Sequence, residues 1–70
     1  MEYLIVHFSG TRRVLVDGLD QGETEQLIEL EAGIYTVTLS PPNNFKPKKR
    51  KVTLKNTSPI KPKEIKFAKT

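Results

Sequence analysis

No apolar run in this chain exceeds six residues, and most are followed within three residues by Gly, Pro, Asn or Asp. Runs that short cannot sustain the 3.6-residue periodicity of a packed helix, and none shows it over more than two turns. They alternate with period two instead, as strands with one buried face do. Leu4, Val6 and Phe8 share one face of the first run; Tyr3, Ile5 and His7 share the other. Val14 and Val16 oppose Leu15, and Ile28 and Leu30 oppose Glu29. Tyr35, Val37 and Leu39 oppose Thr36 and Thr38. Val52 with Leu54, and Ile65 with Phe67, complete the pattern. The expected fold is all-β: a small antiparallel β-sandwich of about six to seven short strands, one domain over residues 1–70 with fraying at the last few. The expected core is Leu4, Val6, Val14, Val16, Ile28, Leu30, Tyr35, Val37, Leu39, Val52, Leu54 and Phe67.

The turns are marked by residue type. In "VLVDGLDQG" (14–22), Asp17-Gly18 ends a strand because Gly accepts positive φ without steric cost. Gly22 reads as a second turn residue, with Leu19-Asp20-Gln21 as the tip between the two glycines. Ser9-Gly10 reads as a hairpin between the first two strands, and Gly33 as the turn before "IYTVTLS". "PPNNFKP" (41–47) reads as a rigid loop, with Asn43 or Asn44 in the left-handed conformation and Phe45 capping one end of the core.

A 70-residue domain buries only roughly 60% of its unfolded surface. Many such scaffolds add a disulfide or a metal. Neither is expected here: there is no Cys and a single His. His7 alone offers no base paired with an activated nucleophile, so no catalytic residue, cofactor or small-molecule substrate is expected. Asp17, Asp20 and Glu23 are too few for a calcium site, which takes about six to eight oxygens. "GLDQG" lacks the Lys-Ser/Thr of a phosphate loop. No segment approaches the roughly 20 apolar residues of a membrane helix. "MEYLIVHFSG" has neither a basic start nor a long apolar stretch, so a cytoplasmic location is expected for a complete chain. For a domain excised from a longer protein, an envelope or extracellular location is expected.

Charge divides sharply along the chain. Residues 1–45 hold two basic and seven acidic groups (net −5), whereas residues 46–70 hold ten basic groups and Glu64 (net +9). The densest stretch, "KPKKRKVTLK" (46–55), contains Lys46, Lys48, Lys49, Arg50, Lys51 and Lys55. One reading is a polyanion or nucleic-acid surface that binds phosphates through counterion release, with Phe45 and Tyr3 available for base stacking. The other is structural. Lysine on an edge strand blocks unwanted sheet pairing, and Glu25, Glu29 and Glu31 would sit across a ladder from the lysines.

Three stretches carry a family resemblance: "VLVDGLDQGET" (14–24), "LIELEAGIYTVTLS" (27–40) and "FKPKKRKVTL" (45–54). Together they resemble a PEGA domain over roughly residues 5–67. Val14, Val16, Asp17 and Gly18 match its strand end; Gly22 and Thr24 match the turn that follows; Leu30, Gly33, Tyr35 and Val37 match its Leu-turn-Tyr segment. Two positions depart. Asn44-Phe45 stands where the family has Gly-Tyr, and Glu25 stands where it has Pro. The resemblance implies a prealbumin-like sandwich of prokaryotic type that serves as an interaction or spacer module and does no catalysis. A protein partner or self-association is then expected, through an exposed strand edge. Tyr3, Ile5 and Phe45 are the candidate docking residues.

Overall fold

The computed structural model describes all 70 residues and contains strands and turns but no helix. Nine strands are present: β1 (Glu2–His7), β2 (Arg13–Val16), β3 (Leu19–Glu23), β4 (Ile28–Leu30), β5 (Gly33–Leu39), β6 (Phe45–Lys46), β7 (Arg50–Leu54), β8 (Lys63–Lys66) and β9 (Ala68–Lys69). The count exceeds six to seven because β6 and β9 are two-residue strands that pair only with each other. The two principal sheets run β4-β1-β8 and β3-β2-β5-β7. All pairings are antiparallel except β1 with β8, which run parallel. The fold is a small all-β sandwich.

Fourteen apolar residues form its core. Alternation decides which ones: the inner faces of β1, β2, β5 and β7 contribute Leu4 and Val6, Val14 and Val16, Val37 and Leu39, and Val52 and Leu54. Of the expected core only Tyr35 is not fully buried. Its ring packs against the core from the side, and its hydroxyl donates to the Glu31 carbonyl at 2.6 Å. Phe8, Phe45 and Ile65 join the core as well. Phe45 sits between Phe8 and Phe67, both rings edge-on at 6.4 and 5.7 Å, so it does cap one end.

Several turn expectations are corrected. The tip of the β2–β3 hairpin is Asp17-Gly18 itself, with φ of 51° and 84°. Positive φ at both positions is the type I′ geometry that matches strand twist. Leu19-Asp20-Gln21 therefore belongs to β3, and Gly22 is a strand residue, not a turn. Ser9-Gly10 makes no hairpin, because β1 and β2 lie in different sheets and the segment crosses between them. Gly33 opens β5 opposite Leu54 without positive φ. Neither Asn43 nor Asn44 is left-handed; that conformation falls to Asn56 and Glu25 instead. Glu25 has φ of 63°, which a proline ring cannot adopt.

One buried polar residue ties the β3–β4 connection to the β1–β2 connection. Thr24 is 3% exposed. Its hydroxyl accepts from the Arg12 amide at 3.1 Å and donates to the Gly10 carbonyl at 2.9 Å, so nothing polar is left unpaired there.

Candidate functional site

The basic residues fall where an edge strand ends a sheet. β7 pairs only with β5, so its other edge is open. Lys51 lies opposite Thr36 and Arg50 opposite Val37. Lys46, Lys48, Lys49, Arg50, Lys51 and Lys55 are all exposed. The acidic ladder expected across from them is absent, because Glu29 on β4 faces Tyr3 in the other sheet and Glu25 contacts His7. All ion pairs in the molecule centre on His7 or Arg13. The ten cations of residues 46–70 therefore have no carboxylate within 4.0 Å, and all ten are exposed.

The three docking residues separate. Phe45 is 2% exposed, so its ring is core and is not available to a partner or a base. β1 is flanked by β4 and β8 and has no free edge, which rules out sheet extension through it. Tyr3 and Ile5 instead lie half-buried on the outer face of that sheet. Glu29 neighbours Tyr3 on one side, and Glu64 neighbours Ile5 on the other. Leu27, 43% exposed, follows the same edge just before β4.

The acidic residues of the β2–β3 hairpin are already engaged. Arg13 donates through Nε and Nη2 to both carboxylate oxygens of Asp20, at 2.8 to 3.1 Å, and lies 3.6 Å from Glu23. Asp17 accepts from the Thr36 amide at 2.8 Å, so it fastens the hairpin to β5 instead of closing its own turn. Arg12 organises the proline loop. Its guanidinium lies 5.1 Å over the Phe8 ring and donates to the carbonyls of Ser40 and Pro42 and to Asn44 Oδ1. Asn44 thus acts through its side chain, not through left-handed backbone.

One cluster escaped the sequence altogether. His7 Nδ1 lies 2.8 Å from Glu25 Oε1, and His7 Nε2 lies 2.8 Å from Glu64 Oε1. Three elements contribute: β1, the β3–β4 turn and β8. Glu25 also accepts from the Phe8 amide at 3.0 Å. Hydrogen bonds donated to Glu64 and then to Glu25 hold the imidazole pKa above its ordinary 6.5. The His7 contact, followed by the Phe8 amide, lowers that of Glu25. An open depression of about 670 Å³ adjoins the cluster, lined by His7, Phe8, Glu25, Lys66, Phe67 and Lys69 among others. Separations of 18 and 57 residues leave no local signal for such a cluster.

No family model, curated protein or solved structure matches this chain.

Proposed function

We propose that the chain is a non-catalytic β-sandwich interaction module, PEGA-like in kind, which docks a protein or a second copy of itself. The observation that carries this reading is the outer face of the β4-β1-β8 sheet. Tyr3, Ile5 and Leu27 supply an apolar centre, and Glu29 and Glu64 supply a charged rim. An apolar centre within a polar rim is the arrangement that protein interfaces use. The outer face of the other sheet also carries apolar groups, Leu15 opposite Thr38 and Ile34 opposite Thr53, but these two lie at different ends of the pairing and are separated by Thr36 and Lys51.

A second reading has its own support. Ten exposed cations without acidic partners favour contact with a polyanion such as nucleic acid. Burial of Phe45 removes one of the two candidate stacking rings, and the other, Tyr3, lies in the opposite sheet from β7, so phosphate contact would carry this reading.

Amide-resolved NMR separates the two. In a dilution series, docking between copies moves the signals of Tyr3, Ile5 and Leu27, and Ile5→Lys abolishes the movement. A spectrum unchanged by dilution removes the second-copy version. Titration with a mixed single-stranded oligonucleotide at about 20 and about 200 mM salt tests the other reading. Shifts confined to residues 46–55 that fade with salt support it, and none at the lower salt removes it.

A further inference from the structure

We propose that Glu25, His7 and Glu64 form a proton-operated latch on the outer face of the three-stranded sheet, and that loss of the proton releases Glu64 while Glu25 stays bound. This goes beyond the docking reading and does not depend on it.

The geometry sets the first half. Both ring nitrogens of His7 meet a carboxylate oxygen at 2.8 Å. A carboxylate only accepts, so both nitrogens must donate, and only the imidazolium carries two N–H groups. Neutral imidazole would turn a lone pair toward one of the two carboxylates. That contact is repulsive, and one carboxylate must leave.

The surroundings decide which. Glu25 has a second anchor, since its other oxygen accepts from the Phe8 amide, and its own amide donates to the Val6 carbonyl at 2.8 Å. Glu64 makes no other side-chain hydrogen bond and is the more exposed, with 61% of its side chain accessible against 52% for Glu25. Glu64 is therefore the one released, and the remaining proton stays on Nδ1, facing Glu25. An unconstrained histidine side chain prefers the Nε2–H tautomer, so this is a distinctive outcome.

The other charged groups near the ring oppose protonation. Lys66 lies in register with His7 on β8, and Lys69 on β9 lines the same depression. The two carboxylates touch the ring directly and outweigh them, as the raised pKa reflects.

The sign follows. With the folded pKa of His7 above 6.5, the latch contributes fully below 6.5 and is lost as pH rises through the folded value. The lowered pKa of Glu25 gives a contribution present above 4.5 and lost as pH falls through its folded value. The latch is closed between these limits. Opening it changes the charge of this face by one unit, from imidazolium to imidazole, and frees the Glu64 carboxylate beside Ile5.

His7 is the only histidine, so its ring nitrogens can be followed without ambiguity. The experiment is a 15N NMR titration of the ring from about pH 5 to about pH 9. The expected result is a midpoint above 6.5, with Nδ1–H as the tautomer on the basic side. Glu64→Gln lowers the midpoint and keeps the tautomer, whereas Glu25→Gln lowers it and loses the tautomer. A wild-type midpoint at or below 6.5, or a midpoint indifferent to Glu64→Gln, overturns the latch. An Nε2–H tautomer at high pH overturns the order of release. The wild-type titration alone decides if either variant fails to fold.

Discussion

Gly22 has a φ of 153° and stands opposite Val14, next to the bulge where β3 gains an extra residue. A Cβ there would come within 3.1 Å of Ile28 Cγ1, a fully packed core atom. Gly33 differs: its φ is not positive, and a Cβ would meet the Tyr35 ring at an ordinary 3.7 Å. Gly22→Ala is expected to destabilise by about 1–3 kcal/mol, since it combines backbone strain with a steric contact in the core. Gly33→Ala is expected to lie within about 0.5 kcal/mol of the parent, or slightly above it, because a strand glycine gives up more backbone entropy than alanine. Chemical denaturation of both variants checks this, and equal losses would contradict it. In the sequence both glycines read as turn residues, Gly22 after Asp20-Gln21 and Gly33 after Glu31-Ala32. Only the path of the chain separates a bulge from a strand start.

At the scale of elements, β7 is the exposed margin of the larger sheet. Val52 and Leu54 hold it down from one side, and Lys49 and Lys51 point away. Its free edge would template another strand if it were neutral. Lys49→Thr with Lys51→Val is expected to leave the fold intact but to make sedimentation concentration-dependent beyond the parent's behaviour. A variant that sediments as the parent does would show that the lysines do not guard this edge. The strand and its buried face are legible from Val52 and Leu54, because alternation is a local property. Strand partners are not local. That is why Ser9-Gly10 reads as a hairpin although β1 and β2 belong to different sheets. It is also why the lysines read as facing Glu29, which lies in the other sheet. The His7 cluster is illegible for the same reason, since it requires the parallel pairing of β1 with β8, 57 residues apart. Phe45 shows the opposite limit: its core role is legible from size and setting, and that same burial removes it as a docking residue.

For the whole molecule the question is how a net charge of +4 with so uneven a distribution affects stability. The body measures 31 × 21 × 17 Å. At about 0.01 M salt the screening length is about 30 Å, so every cation of residues 46–70 senses the others across the fold. At about 0.15 M it shrinks to about 8 Å, and most of that repulsion disappears. The favourable pairs behave differently. His7 with its two glutamates and Arg13 with Asp20 are in contact at 2.8 Å, well inside either screening length. Exposed pairs of this kind contribute little to stability, so their partial loss is small. Ten cations without partners therefore outweigh three contact pairs, and added salt should stabilise the protein. The expected result is a Tm that rises by a few degrees between about 0.01 and about 0.15 M sodium chloride at pH near 6, where the latch is closed. Charge reversal of Lys49 and Lys51 to glutamate should shrink that rise by relieving repulsion in advance. A Tm that falls with salt would mean that attraction between the acidic and basic halves governs the fold, contrary to the unpaired lysines of β7 and β8.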